Sequence, residues 1–283
     1  MFERLSLSHA QVHIGLKQPF SVLHISDTHL TAAYPSEPDV KQTLHKMRTR
    51  TFGGRQEEAL RDSLSWAKEN VDWVIHTGDL IDWQSEANYD LVRKYFGQSM
   101  SCSMGNHEFS PSMGFSNPRM ESTEAYKDIS RKRLSEVFPV DISFHSQTVC
   151  GVNFITMDDV FGTVTAGQVE RFNAEVRKGL PMVLCMHVPF FDDGMWTIAQ
   201  RFWRDSGKKF RKATVPDASS DYARQRNDPV TRDFIARLKR EPLLKCILTG
   251  HEHIGMRSRF SPTAEQLVVP GNFLFAGEEV LFS

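Results

Sequence analysis

The sequence predicts an α/β protein, and two patterns carry that prediction. Short apolar runs typical of buried strands alternate with longer segments whose apolar residues recur near helical spacing. The predicted strands that bear on function are residues 20–25, 73–76, 100–103, 182–185 and 245–248. The predicted helices between them are residues 56–69, 85–96, 122–137, 166–177 and 231–240. The order of strands in the sheet does not follow from these patterns.

Two further regions have the pattern of β-hairpins. In residues 142–157, Cys150 and Gly151 separate β-rich runs, and Pro270, Gly271 and Asn272 do the same in residues 256–283. These hairpins indicate a second sheet. Because no Gly/Ser-rich linker or internal repeat divides the chain, we expect one domain over residues 1–283.

The predicted domain carries two basic insertions. We call them the first basic segment, at about residues 31–55, and the second basic segment, at about residues 190–230. The formal net charge of −1 over 283 residues is not that of a general polyanion binder, so nucleic acid is not an expected partner. Any basic site must therefore be local.

Composition also bears on compartment. The four cysteines lie far apart without a CxxC pair, which indicates neither a zinc knuckle nor a disulfide framework. No stretch reaches the roughly 18 apolar residues of a membrane span, and residues 1–7 lack the apolar region of a signal peptide. The expected setting is a reducing cytoplasm, with no membrane partner.

Each of the five predicted strands is followed within a few residues by side chains that can bind metals. These side chains are Asp27, His29, Asp79, Asp82, Asn106, His107, His187, His251 and His253. In an α/β sheet the carboxyl ends of the strands open onto one crevice, so residues distant in sequence converge there. A single Asp or Asn after a strand is more often a turn or capping residue, but that does not explain an ordered set.

The candidate ligands are oxygen and imidazole without thiolate. Such a set suits Mn, Fe or Zn, whereas calcium prefers oxygen alone. We expect Asp27 with His29, and His251 with His253, to point to one side of an extended segment. Three glycines directly precede candidate ligands, where a side chain would obstruct the site: Gly78, Gly105 and Gly250.

The ordered pattern D-x-H, GDxxD, GNH[DE], H and GHxH resembles the calcineurin-like metallophosphoesterase family. This sequence fills every element between residues 27 and 253, and it is more similar to the bacterial phosphodiesterase-like branch than to the protein phosphatases. The resemblance implies a four-layer αββα sandwich, in which two mixed sheets pack face to face with helices outside. It also implies two bound metal ions.

Site roles follow from the same resemblance. It assigns a first metal ion to Asp27, His29 and His253. It assigns a second ion to Asn106, His187 and His251, with Asp79 bridging the two. His107 then faces the leaving group of the substrate and Asp82 orients it. A hydroxide shared by the two ions would attack phosphorus in line.

Other polar residues near these elements have plainer interpretations. Glu108 and Glu252 are interpreted as local hydrogen-bonding or solvated residues. His24 and His76 lie inside strands and are interpreted as buried or half-buried histidines.

The two basic segments are candidates for substrate contact. Residues 41–55 hold five cations and no carboxylate, and residues 195–212 hold six cations interleaved with Trp196, Phe202, Trp203 and Phe210. Cations could pair with phosphate oxygens and aromatic rings could stack on a base. The selected candidates are Arg48, Arg50, Arg55, Arg201 and Trp203. The alternatives are a solvated charged face and aromatic residues that anchor the segment to the core.

The predicted function is that of a dinuclear phosphohydrolase, acting on a small or nucleotide-like phosphodiester. A phosphomonoesterase or protein phosphatase is the alternative enzyme, because substrate does not follow from fold. A scaffold that has lost catalysis is the non-enzyme alternative, and it predicts missing ligands or a replaced His107. The sequence leaves the metal and the oligomeric state open.

Overall fold

The computed structural model describes residues 4–96, 100–113, 121–206 and 216–283. The strands are β1 Ser6–Val12, β2 Phe20–Ile25, β3 Trp73–His76, β4 Met100–Cys102, β5 Phe144–Val149, β6 Val152–Met157, β7 Met182–Cys185, β8 Leu244–Thr249, β9 Met256–Arg259, β10 Glu265–Val268 and β11 Ala276–Phe282. The helices are α1 Asp39–Thr51, α2 Gln56–Asn70, α3 Glu86–Tyr95, α4 Glu124–Val137, α5 Ala166–Val176, α6 Asp193–Asp205, α7 Asp221–Asn227 and α8 Pro229–Leu238. A 3₁₀ turn spans Asn272–Leu274.

The strands form two mixed sheets. The first has the order β1-β11-β2-β3-β4, and β2, β3 and β4 run parallel. The second has the order β5-β6-β7-β8-β10-β9, with a parallel centre and antiparallel edge strands. Crossover helices connect the parallel strands, so helices cover the outer faces.

Alternation along the strands divides the core into layers. In β2, Val22 faces the cluster between the sheets, while Leu23 and Ile25 face the cluster that includes Leu60 of α2. Between the sheets, the Phe20 and Phe154 rings meet edge to face at 6.2 Å. On the other side of the second sheet, residues of β6, β7 and β8 pack against α5 and α8. The predicted α/β sandwich of two mixed sheets is confirmed.

The predicted central elements agree closely with the structure. Three of the five strands have the predicted bounds, β4 ends at Cys102, and β8 extends over Leu244–Thr249. The five predicted helices are present with ends shifted by one or two residues. Residues 142–157 form the predicted hairpin of β5 and β6.

The second predicted hairpin is wrong as a unit. β9 and β10 pair antiparallel in the second sheet, but β11 crosses to the first sheet and lies between β1 and β2. Val280 and Phe282 of β11 pack in the cluster between the sheets. Alternation in a sequence predicts a strand but does not identify its partner.

The first basic segment contains a helix that the sequence analysis did not predict. α1 spans Asp39–Thr51, and Leu44 is its one fully buried residue. Apolar residues at helical spacing are limited to Val40, Leu44 and Met47, and of these Leu44 alone is buried. Likewise, α6 and α7 were not predicted within the second basic segment.

Part of the second basic segment lies outside the described residues. It includes the candidates for phosphate contact and stacking at Lys208, Lys209, Phe210, Arg211 and Lys212. Over the described ranges, no helix has the length and apolar character needed to cross a bilayer.

Candidate metal centre

The candidate ligands gather where the carboxyl ends of five strands meet. Asp27 follows β2, and its Oδ2 accepts a hydrogen bond from the backbone N–H of His251, which follows β8 of the other sheet, at 2.9 Å. His187, after β7, reaches across to Thr77 at the end of β3 with a 2.7 Å bond from Nδ1 to the carbonyl oxygen. The two sheets therefore open onto one crevice, as the strand pattern predicts.

The first group of ligand atoms contains Asp27 Oδ1, His29 Nε2, Asp79 and His253 Nε2, which could hold a metal ion. The Nε2 atoms of His29 and His253 lie 3.0 Å apart, and His253 Nε2 lies 3.2 Å from Asp27 Oδ1. Asp27 Oδ1 is buried and has no hydrogen-bond partner. A buried carboxylate oxygen facing two imidazole nitrogens in this way fits a cation better than a hydrogen-bonded cluster.

A second group centres on His187 Nε2. Asn106 Oδ1 lies 3.3 Å from it, His251 Nδ1 lies 3.2 Å from it, and Asp79 Oδ2 lies 3.4 Å from it. The same Asp79 Oδ2 lies 3.7 Å from His29 Nε2 in the first group. Asp79 is thus the residue that the two groups share.

The backbone at these residues adopts an uncommon conformation. Non-glycine residues with positive φ number nine in the described part of the chain, and five of them are candidate ligands: Asp27, His29, Asp79, His251 and His253. Each such residue costs of the order of 1 kcal/mol or more and persists only where its surroundings enforce it. The backbone of these two pairs is therefore not extended as expected, and left-handed turns aim the side chains at the site instead.

The three glycines confirm the predicted close approach. A Cβ atom at Gly250 would lie 1.8 Å from Ser26 Oγ and 2.4 Å from Asp27 Oδ2. At Gly105 it would lie 2.1 Å from Asp79 Oδ1, and at Gly78 2.6 Å from His187 Nδ1. Gly78 also has a φ of +93°. Any larger residue at these positions would displace a candidate ligand.

Hydrogen bonds behind the ligands fix their orientation. His29 Nδ1 lies 2.9 Å from Asp82 Oδ1, and His251 Nε2 lies 3.2 Å from Asp221 Oδ2. Such contacts select the imidazole tautomer and leave the opposite nitrogen with a lone pair. Glu108 is fully buried, and its carboxylate accepts hydrogen bonds from the backbone N–H groups of Asp79, Ile81 and Gly105.

His107 lies beside the shared carboxylate. Its Nδ1 is 2.8 Å from Asp82 Oδ1, and its Nε2 is 3.8 Å from Asp79 Oδ2. Burial alone would lower the pKa of His107, but the carboxylates of Asp79 and Asp82 outweigh it and raise the pKa to about 9. Cations bound at Asp79 would offset part of that attraction.

His29, Asp82 and His107 also lie close enough together to be considered as ligands. Arg48, however, contacts both oxygens of the same carboxylate, with Nε 2.5 Å from Asp82 Oδ2 and Nη2 2.8 Å from Oδ1. A guanidinium in this place would repel a metal ion. These residues therefore form a hydrogen-bonded network rather than a third cation site.

A cavity of about 850 Å³ opens above the ligands. Its described lining residues are Asp79, Asn106, His107, Trp196, Trp203, Asp217, Ser219, Ser220, Asp221, Tyr222, Arg224, His251, Glu252 and His253. Of the five substrate-contact candidates, Trp203 is among them, and its indole N–H donates to Glu252 at 3.0 Å.

The four arginine candidates lie elsewhere in the described part of the chain. Arg48 contacts Asp82, and Arg55 pairs with Glu58 and lies over the Phe275 ring. Arg50 and Arg201 are exposed and are not among the described lining residues.

Sequence reasoning missed Asp221 as a site residue and gave Glu108 and Glu252 no specific role. Glu108 occupies the last position of the GNH[DE] element, so its place in the pattern was a usable signal. Glu252 lies between His251 and His253 and accepts from Trp203 and from Tyr222. Asp221 lies far from every motif element, and nothing in its local sequence marks it.

Comparisons with known proteins agree with this geometry. The family described as calcineurin-like phosphoesterase matches residues 20–255, which is most of the chain. No curated protein is significantly similar in sequence. Among solved structures, PhoD is 14% identical with a TM-score of 0.52, covering 92% of this chain and 57% of that one, and so supports the fold.

A dimetal phosphatase from Danio rerio is also 14% identical, with a TM-score of 0.49, and the match covers 90% of this chain and 88% of that one. The family match spans all five elements of the ligand pattern. The chain therefore belongs to the calcineurin-like phosphoesterase family, and with it to the metal-dependent phosphoester hydrolases.

Proposed function

We propose that this protein is a dinuclear phosphodiesterase that hydrolyses a small or nucleotide-like phosphate ester. The observation that carries the proposal is the sharing of Asp79 between two groups of ligand atoms, with its Oδ2 3.4 Å from His187 and 3.7 Å from His29. A carboxylate that serves two sites holds two cations close enough to act on one substrate.

In this proposal Asp27, His29 and His253 would hold the first cation, and Asn106, His187 and His251 would hold the second. Asp79 would contribute to both. Two bound cations would lower the pKa of a water between them and neutralise charge on the phosphate oxygens. The mixture of oxygen and imidazole donors favours Mn, Fe or Zn.

His107 is proposed to donate a proton to the leaving oxygen. Asp82 accepts from Nδ1 at 2.8 Å, so Nε2 is the atom that remains available on the side of the cavity. The neighbouring carboxylates favour the protonated imidazole, because they raise the pKa of His107 to about 9 despite burial. Asp82 therefore acts by orienting His107 and stabilising its charge.

The size and lining of the cavity support the proposal that the substrate is a small organic ester. Its volume of about 850 Å³ falls in the range typical of small-molecule sites, about 300–1,000 Å³. Trp196, Trp203 and Tyr222 give one wall aromatic character, which suits a base or aryl group. A net charge of −1 does not favour long nucleic acids, whose binding rewards a broad basic surface.

The family also leaves room for a phosphomonoesterase, a protein phosphatase or an inactive scaffold. A scaffold predicts loss of ligands or of His107, but every motif position is filled. The ligand set alone does not determine whether the substrate is a monoester or a diester.

We propose a reducing cytoplasm as the compartment. All four cysteines are free, and Cys102, Cys185 and Cys246 are buried thiols. Free thiols without a disulfide framework are typical of such a compartment.

Two measurements test the proposed function together. The purified protein, reconstituted separately with Mn²⁺, Fe²⁺ and Zn²⁺, is expected to bind about two ions per chain by elemental analysis. The manganese form is then tested on bis-p-nitrophenyl phosphate, p-nitrophenyl phosphate and 2′,3′- and 3′,5′-cyclic nucleotides. We expect the diesters to be hydrolysed with the higher kcat/KM.

Different outcomes reject different parts of this proposal. Binding of no metal after reconstitution would favour the scaffold. Two bound ions with a preference for p-nitrophenyl phosphate would support the metal centre but replace the diesterase with a monoesterase.

A further inference from the structure

Helix α7 belongs to the second basic segment, and it contacts the loops that carry the candidate ligands. Asp221 Oδ2 lies 3.2 Å from His251 Nε2, and the Tyr222 hydroxyl donates to Glu252 Oε1 at 2.6 Å. Arg224 Nε donates to the carbonyl oxygen of Phe161 at 2.8 Å. One short helix thus contacts both the GHxH loop and the loop that follows β6.

The Asp221 carboxylate is held in place from several sides. Its Oδ1 pairs with Arg224 of the same helix, while Oδ2 faces His251. The backbone carbonyl of Asp221 packs against Gly162, where a Cβ atom would lie 2.5 Å from that oxygen. The Asp221 side chain is 17% exposed. Its position is therefore determined by packing before any ligand binds.

This contact has a consequence for the His251 imidazole. An ionised carboxylate only accepts hydrogen bonds, so Nε2 of His251 must carry the hydrogen and Nδ1 keeps its lone pair. Nδ1 is the atom that lies 3.2 Å from His187 Nε2, inside the second group of ligand atoms. The contact with Asp221 thus leaves Nδ1 of His251 able to bind a cation and directs it toward the second group of ligand atoms.

We propose that Asp221 is a positioning residue for the second cation, acting through the tautomer and orientation of His251. The proposal rests on the dinuclear function proposed above. It assigns to the second basic segment a role in assembling the metal centre, beyond forming a wall of the cavity. Arg224, Tyr222 and Gly162 contribute by holding α7 against the ligand loops.

The test measures Mn²⁺ binding by titration calorimetry and by competition with a chelator. Asp221→Ala is expected to weaken one of the two Mn²⁺ equivalents by about 10- to 100-fold and to leave the other nearly unchanged. Asp221→Asn is expected to lose less Mn²⁺ affinity than Asp221→Ala, because its amide oxygen still accepts a hydrogen bond from Nε2 of His251. The matched controls are Asp193→Ala and Asp193→Asn, since exposed Asp193 holds the corresponding first position of α6.

A readout of the metal-free protein separates positioning from general loss of structure. Nitrogen-15 NMR of the His251 ring is expected to report hydrogen on Nε2 in the wild type and in Asp221→Asn, and a mixture of tautomers in Asp221→Ala. Thermal unfolding of the same metal-free samples shows whether each variant is folded. If Asp221→Ala does not fold, Asp221→Asn decides by Mn²⁺ binding alone: weaker binding than in Asp193→Asn supports positioning, and equal binding rejects it.

The outcomes distinguish this inference from the proposed function. A wild-type protein that binds fewer than two ions would reject the dinuclear centre itself. If the wild type binds two ions and both bind equally well in Asp221→Ala and Asp193→Ala, Asp221 has no positioning role and only this inference is lost.

Discussion

The two basic segments each contact candidate histidine ligands, and they support those ligands differently. From the first segment, Phe52 stacks on the His29 ring at 4.3 Å, and Arg48 contacts the carboxylate behind that ring, which belongs to Asp82. From the second segment, Asp221 itself supplies the carboxylate behind His251. The first segment therefore reinforces a carboxylate that the motif provides, whereas the second adds one that the motif lacks.

Burial differs between the two supporting carboxylates. The Asp82 side chain is fully buried and serves both His29 and His107, whereas the Asp221 side chain is 17% exposed and contacts one histidine. Loss of the Asp82 carboxylate should therefore weaken binding of the first cation and also impair protonation of the leaving group. Loss of the Asp221 carboxylate should affect mainly the second cation, because His251 is the one candidate ligand that Asp221 contacts among the described residues.

The largest effect is expected at Asp79, the residue that both groups of ligand atoms share. Asp79→Asn removes the charge that both groups share, and we expect kcat to fall by about a thousandfold or more, which is about 4 kcal/mol of transition-state stabilisation. Metal content should fall below two per chain. Steady-state kinetics with bis-p-nitrophenyl phosphate and elemental analysis measure both quantities.

A matched loss of charge controls for general electrostatics. Asp205→Asn removes a carboxylate at the end of α6 that is 72% exposed, and it should leave kcat and metal content unchanged. Full activity in Asp79→Asn would contradict the proposal that two cations share Asp79. The comparison between the two groups of ligand atoms would then have no basis.

A somewhat smaller effect is expected for His107→Ala, and it should depend on the leaving group. Loss of a proton donor is expected to slow hydrolysis of a 2′,3′-cyclic nucleotide, whose alkoxide leaves poorly, by about 10²- to 10³-fold. Bis-p-nitrophenyl phosphate should lose less, because p-nitrophenolate leaves without protonation. Metal content should stay near that of the wild type. An equal loss on both esters, or loss of a metal ion, would assign His107 to the cation sites instead.

The convergence of the candidate ligands could be predicted from the sequence, because each candidate follows a predicted strand within a few residues. Asp27, Asp79 and His187 lie directly beyond β2, β3 and β7, and parallel strands bring those ends together. The way the side chains are aimed was not predictable, because positive φ at Asp27 and Asp79 results from tertiary contacts around them.

The supporting residues were harder to predict because they depend on how segments dock. Arg48 was selected as a phosphate contact from its charge, but its guanidinium lies on Asp82 in the structure. Helix α6 did carry a readable signal, since Met195, Trp196 and Ala199 are buried at helical spacing. Helix α7, by contrast, has seven residues, too few for a periodic pattern to establish itself.

The smallest effect of this series is expected at Arg48, and it sharpens the contrast between the two segments. Arg48→Met removes the guanidinium from the buried Asp82 carboxylate, and we expect kcat to fall by about tenfold to a hundredfold, as for other residues that orient a metal ligand. Arg48→Lys keeps the charge but not the two-pronged contact, so it should lie between Arg48→Met and the wild type.

Arg50→Met is the matched control for Arg48→Met, because Arg50 lies in the same last turn of α1 and is exposed. A fall in kcat with weaker binding of one Mn²⁺ equivalent, at unchanged KM, would support positioning through Asp82 and His29. A rise in KM alone would instead make Arg48 a phosphate contact, and the two basic segments would then differ in kind, one serving the substrate and the other the metal. The same kinetics on Arg50→Met show whether that exposed arginine contacts substrate, which a raised KM would indicate.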